Sequence, residues 1–172
     1  MTTTADAAAI PSSLRHCDIT TPIGELTAVR SDDGLRGLYF PDHSTRPNRR
    51  AFGLRSTPQD FDDLAGQLDD YLLGRRTGFD LPLAAAPTPV ATHLRQCLLA
   101  LPYGTTTTYG ALARTLGTSP RAVGRLNAHN PLSIVVPCHR VIGATGTLVG
   151  YAGGLALKRR LLTLEGVPVA PA

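Results

Sequence analysis

The stretch NPLSIVVPCHRVI, residues 130–142, sets an apolar run, Ile134-Val135-Val136, ahead of Pro137-Cys138-His139-Arg140 and a second apolar pair, Val141-Ile142. A polar, nucleophile-bearing triplet between two apolar segments is costly unless the site is used, because buried polar groups must find partners. The run reads as a short buried strand that delivers Cys138 to an interior after a turn at Asn130-Pro131. A thiol attacks only as the thiolate, so Cys138 needs a base or a positive field nearby. His139 is adjacent, and Arg140 adds positive charge. Successive residues of an extended segment face opposite ways, so Cys138 and His139 meet only through a turn or a bridging water. For an isolated Cys-His pair, the commoner outcome is a small buried thiol beside a satisfied core histidine.

Downstream, the glycine-rich Gly143–Gly154 surrounds Tyr151 and can bend closely about a ligand. A closing helix, Leu155 to Glu165, is expected to carry Lys158, Arg159 and Arg160 on its polar side. A histidine acting as base is usually held by a carboxylate. Residues 87–172 contain one acid, Glu165, so any carboxylate that this half supplies to His139 is Glu165.

Upstream, Leu94, Leu98 and Leu101 form one stripe of a helix from Pro89 to Leu101, ended by Pro102-Tyr103-Gly104. Cys97 lies inside that stripe and reads as a packed core thiol. Tyr109 to Leu116 and Arg121 to Ala128 form two short helices about the turn Gly117-Thr118-Ser119-Pro120. This is helix-turn-helix spacing in a basic context, a weak signal by itself. Ala122 and Gly124 would let a backbone approach closely, while Arg121 and Arg125 stay free to reach a duplex.

In the first half, Leu14–Ile19, Leu26–Arg30 and Leu35–Phe40 alternate between turns and predict a small antiparallel sheet. Arg46 to Pro58 is basic and patternless and reads as a loop. Phe61, Leu64, Leu68, Tyr71 and Leu72 recur at helical spacing behind Thr57-Pro58. No catalytic signature stands out in residues 1–86. The Pro- and Ala-rich Leu81–Val90 suggests a linker, dividing a support domain, 1–86, from a second domain, 87–172. Charge divides there too: nine Arg against twelve acids give −3 before the boundary, and seven Arg with one Lys against one acid give +7 after it. An acid-poor, Arg-rich half is the footprint of a surface that meets phosphates.

The whole chain has 172 residues, 42% of them apolar, enough for a real core, and no Gly-X-Y period. Its apolar runs are too short to span a bilayer. Residues 1–13 have neither a basic start nor a sustained apolar stretch and read as a floppy tail of a cytoplasmic protein. Three widely spaced cysteines, Cys17, Cys97 and Cys138, support neither a disulfide framework nor a zinc finger, and lone His16, Cys17 and His43 make no metal cluster.

Taken together, PCHRV with NP upstream, GY.GG downstream and then Lys158 and Glu165 resembles the O6-alkylguanine-DNA alkyltransferases, also called methylated-DNA:protein-cysteine methyltransferases. The resemblance is strong from Pro102 to Gly166 and weaker around Thr21–Leu26. It implies a small N-terminal mixed α/β, ribonuclease H-like domain. A C-terminal helical domain would follow, with a winged helix-turn-helix and a short strand bearing the active-site cysteine, an α/β (α+β) fold overall. It implies DNA repair by suicide transfer from O6-alkylguanine, with O4-alkylthymine as a second candidate lesion, after the base is flipped from the duplex. No cofactor or metal takes part. Double-stranded DNA would be bound through the minor groove without sequence preference, by a monomer and with no membrane.

On this chain the resemblance makes Cys138 the alkyl acceptor, activated by His139 through water, with Glu165 orienting His139. Asn130 would hold the surrounding turns, and the Tyr109 hydroxyl would donate to the departing base. Val141, Tyr151, Ala152 and Gly153 would wall the base pocket, with the carbonyls of Cys138 and Val141 accepting from the guanine amine. Arg121 would fill the gap left by the flipped base, and Ala122, Gly124, Arg125 and Thr108 would face DNA. The chain departs from the family in a turn two residues shorter before Arg121, in Arg125 and Leu126 where small residues are common, and in Val90 and Arg95 where an aromatic pair is usual. Two other readings stand beside this one: a module that binds damaged bases without transfer, and a cysteine hydrolase using Cys138, His139 and Glu165.

Overall fold

The computed structural model describes residues 13–169, so the expected N-terminal tail lies almost wholly outside the described residues. Three strands, β1 (Arg15–Thr21), β2 (Gly24–Ser31) and β3 (Gly34–Tyr39), form antiparallel hairpins, as the alternation predicts. The second hairpin turns at Asp32-Asp33 onto Gly34, whose φ is 130°. A side chain there would also meet the Pro82 carbonyl at 2.4 Å, so both backbone angle and space call for glycine. The Arg46–Pro58 segment is more ordered than its lack of pattern suggests. It holds a 3-10 turn at Arg49–Phe52 and a two-residue strand, β4 (Leu54–Arg55), parallel to β1, completing the sheet order β3-β2-β1-β4.

Helix α1 (Asp62–Leu72) covers the sheet. Its buried Leu64, Leu68 and Tyr71, with Phe61 just ahead, join Leu26, Ala28, Leu35 and Leu38 in the main core. Part of the Pro- and Ala-rich stretch is tied to that sheet: Leu83 bridges to Leu35, and Leu35 N–H donates to the Pro82 carbonyl at 2.7 Å.

The helical part comprises α2 (Pro89–Leu99), α3 (Tyr109–Leu116), α4 (Pro120–Ala128) and α5 (Leu155–Leu164). Helices α2, α3 and α4 each start behind a Thr or Ser whose hydroxyl accepts a backbone N–H three residues on, from Ala91, Ala111 and Ala122. Helix α3 ends at Gly117 in the left-handed conformation, φ 63°. Two residues ahead of α3, Thr107–Thr108 (β5), pair in parallel with Val141–Ile142 (β6). That pairing brings the start of α3 beside the chain that leaves Cys138. Among the described residues no helix is long and apolar enough to cross a membrane.

The structure corrects the expected strand at Ile134–Val136. These residues are buried but turn continuously, with Ile134 at φ 70°. The Asn130 side chain supplies the reason, because it competes with strand pairing. Its Oδ1 accepts from Leu132 N–H at 3.2 Å and its Nδ2 donates to the Val136 carbonyl at 3.1 Å, closing the loop on itself. Cys138 is therefore on a 3-10 turn, Cys138–Arg140, and not on a strand. An isolated bridge from Leu132 to Leu38 joins the loop to the edge of β3.

Candidate active site

The 3-10 turn decides where three consecutive side chains go. Cys138 is 3% exposed and His139 fully buried, and the Arg140 side chain is almost as enclosed. His139 Nε2 lies 2.8 Å from Glu165 Oε1. Glu165 follows α5 directly and is buried at the end of the face that carries Leu161 and Leu162.

Four further donors reach the same carboxylate. Arg140 Nε donates to Oε2 at 2.8 Å and its Nη2 to Oε1 at 2.9 Å. Gly104 N–H donates to Oε2 at 3.2 Å, and the Tyr71 hydroxyl donates to Oε1 at 2.5 Å. A carboxylate fed by this many donors is stabilised as the anion. Although burial opposes it, the bonds from His139, Arg140 and Tyr71 pull the Glu165 carboxyl down to about 2. Burial in turn lowers the His139 imidazole below its ordinary value against the pull of Glu165, so the ring is neutral at physiological pH. With Nε2 committed to Glu165, the remaining nitrogen, Nδ1, is buried and has no hydrogen-bond partner among the described residues.

Arg140 does not supply the positive field expected at Cys138, because its guanidinium is bound to Glu165 and to the Leu101 carbonyl at 2.7 Å. The field comes from Lys158, which the sequence reading places on the polar side of the last helix and the structure buries completely. Its ammonium has three donors and meets three carbonyls, those of Val141, Val149 and Gly150, at 2.6, 2.8 and 3.1 Å. Burial lowers Lys158 to about 8. Burial raises the Cys138 thiol, while the Asn130 side chain, Lys158 and the backbone N–H groups of Cys138 and His139 act the other way. The resting group is thus a thiol that must give up its proton as it reacts.

A cavity of about 210 Å³ adjoins this network, lined by Ser44, Tyr109, Gly124, Asn127, Gly150, Tyr151 and Ala152 among others. Asn127 lies on its wall and donates through Nδ2 to the Cys138 carbonyl at 3.2 Å. The Tyr109 hydroxyl donates to the Val149 carbonyl at 3.3 Å, and burial raises its phenol, keeping it a donor. The Tyr151 ring meets that of His139 edge-on at 6.4 Å. Val141 and Gly153, expected in the pocket wall, do not line this cavity. The Val141 carbonyl is held by Lys158, and Gly153 packs on the sheet half, where an added Cβ would come within 2.6 Å of Phe40.

Helix α4, whose Gly124 and Asn127 line this cavity, leaves Arg121 and Arg125 exposed and Ala122 half-buried. Gly124 is not demanded by the fold: an added Cβ would meet only Tyr109, at 3.9 Å. Thr108 spends its hydroxyl on capping α3.

The parts played by Lys158, Asn127, Tyr71 and Ser44 escaped the sequence reading. Lys158, Leu161, Leu162 and Glu165 fall at i, i+3, i+4 and i+7, a spacing that places Lys158 on the inner face. Val123 and Asn127 share the inner face of α4 in the same way. Tyr71 gives no such signal, since an aromatic residue in a helical stripe is usually core. Ser44 lies in a loop without pattern.

Residues 15–85 match the family model described as 6-O-methylguanine DNA methyltransferase, ribonuclease-like domain, and residues 89–167 match its DNA binding domain. A methylated-DNA--protein-cysteine methyltransferase of Mycolicibacterium paratuberculosis is 42% identical over 154 residues, covering 88% of this chain and 92% of that protein. One from Methanosarcina acetivorans is 38% identical, covering 85% and 94%. Among solved structures, Mycobacterium tuberculosis OGT in complex with DNA superposes with a TM-score of 0.80 at 38% identity, covering 88% of this chain and 93% of that one.

Proposed function

The chain belongs to the O6-methylguanine DNA methyltransferase family, whose reaction repairs DNA by moving an alkyl group from guanine to a protein cysteine, and we propose that Cys138 is that cysteine. The observation that carries this reading is the buried line from the Cys138 turn through His139 to Glu165, set against a cavity beside a cationic helix.

In this mechanism Arg121 enters the duplex from the minor groove and the damaged guanine swings into the cavity, because its alkyl carbon cannot be reached within the stack. The groove shows few sequence-specific groups, so damage is sought without sequence preference, and one copy of the chain carries every residue of the site. The Cys138 proton passes through water to Nδ1 of His139, the one nitrogen not engaged by Glu165. Sulfur attacks the alkyl carbon, the S–C bond forms and the C–O6 bond breaks. The electron pair goes to the guanine, which the Tyr109 hydroxyl stabilises after leaving the Val149 carbonyl. Glu165 stays ionised throughout and balances the imidazolium that forms on His139.

The Cys138 carbonyl accepts one bond, from Asn127, and keeps a second lone pair for the guanine amine. The thioether cannot be hydrolysed by this network, so each molecule acts once.

Mixing the protein with a labelled duplex that holds one O6-methylguanine tests the reading. One methyl group per protein molecule at saturation, whatever the excess of DNA, is the expected result. Continued turnover, or tight binding with no transfer, contradicts it.

A further inference from the structure

Tyr71 comes from the sheet half, in which the sequence shows no catalytic signature, yet its hydroxyl is 2.5 Å from Glu165 Oε1 and 3.4 Å from His139 Nε2. Its ring is fully buried between Phe79 and Tyr103, with centroids at 5.2 and 6.0 Å, and α1 fixes its height. We propose that Tyr71 is a positioning residue through which the N-terminal half sets the proton affinity of His139, by donating to the carboxylate oxygen that His139 also uses. The inference rests on the assignment of His139 as the proton acceptor for Cys138.

The physical basis is competition for one oxygen. Oε1 accepts from His139 Nε2, from Arg140 Nη2 and from Tyr71. Each donor draws charge from the carboxylate and weakens its pull on the others. Without the Tyr71 hydroxyl, Glu165 bonds the imidazole N–H more strongly and favours the imidazolium. A ring that is already protonated cannot take the thiol proton. Arg140 faces this pair from the active-site turn, Tyr103 from the loop after α2, Lys158 from α5, and Cys138 and Tyr151 from the pocket side, and all are unchanged by a substitution at position 71. Burial raises the Tyr71 phenol far above its ordinary value, so it remains a donor at every working pH.

Tyr71→Phe removes the hydroxyl and keeps the ring, whereas Phe79→Leu loosens the ring packing and keeps the hydroxyl. Two readouts are taken on the full chain: the single-turnover rate of methyl transfer from an O6-methylguanine duplex against pH, and the titration of the His139 ring by NMR. Tyr71→Phe is expected to move the acid limb of the rate profile and the His139 midpoint upward together, by about half to one pH unit. Phe79→Leu is expected to lower the melting temperature and leave both midpoints in place. Wild-type midpoints in Tyr71→Phe, or an equal shift in Phe79→Leu, would overturn the proposal. A wild-type protein that transfers nothing would overturn the functional assignment instead, and the NMR titration would still decide the role of Tyr71.

Discussion

The Glu165 cluster and the outer face of α4 use arginine in opposite ways. Arg140 is buried, bonded to both oxygens of one carboxylate and to a backbone carbonyl, and cannot move without leaving a charge unpaired. Arg121 and Arg125 are exposed on α4, the helix that lends Gly124 and Asn127 to the cavity wall. A buried ion pair with all its partners contributes less to net stability than to a single geometry, and breaking it is expensive. An exposed arginine costs little to hold and is available to a phosphate or a helical gap. On the proposed reading the comparison teaches that chemistry and capture are separated: one region is preorganised, and the other keeps exposed cations for DNA.

The largest effect expected from breaking the preorganised side is that of Glu165→Gln. It removes the anion while Arg140 stays charged and buried, so a loss of about 3–5 kcal/mol in stability is expected by urea unfolding. Methyl transfer should fall by about two orders of magnitude or more, because neither orientation nor charge balance remains for His139.

The same cluster predicts a pH window. The Glu165 carboxyl ordinarily titrates near 4.5 and is held at about 2 in the folded chain. A depressed carboxylate contributes its full stability above its unfolded value and loses it as pH falls toward the folded one. Wild type should therefore lose on the order of 3 kcal/mol between these pH values. Glu165→Gln should lack that component, as urea titrations across the window would show.

On the exposed side the effects are smaller and of another kind. Arg121→Ala should slow transfer from duplex DNA by about tenfold to a hundredfold while leaving transfer from a single strand nearly intact, since only the duplex must be opened. Equal rates on duplex for the variant and wild type would show that this arginine does not open the helix. Arg125→Ala should do least: stability unchanged, and the slope of log affinity against log salt reduced by about one. An unchanged slope would mean that Arg125 meets no phosphate.

The same contrast explains what the sequence disclosed. Local patterns were readable where local physics decides: the hairpins at Pro22–Gly24 and Asp32–Gly34 and the break between two short helices after Gly117 lie where the residue types place them. Glu165 was legible as the carboxylate partner by elimination, since its half holds no other acid. The strand expected at Ile134–Val136 was misread because apolar content marks burial and not conformation, and the Asn130 side chain bends the segment into turns. Lys158 was assigned to solvent by its charge although its spacing from Leu161 and Leu162 points inward, and three carbonyls make burial tolerable. Tyr71 was beyond reach, because its role depends on a contact 94 positions away in the chain.

The central claim is that one thiol out of three is armed by the network around it. Cys17, Cys97 and Cys138 are all free, Cys17 is as buried as Cys138, and only Cys138 adjoins His139, Lys158 and the cavity wall. Peptide mass spectrometry after reaction with an O6-methylguanine duplex tests this directly. The account predicts a gain of one methyl mass on the peptide carrying Cys138 and none on those carrying Cys17 or Cys97. A methyl group on either of the other cysteines, or on none of the three, would contradict it.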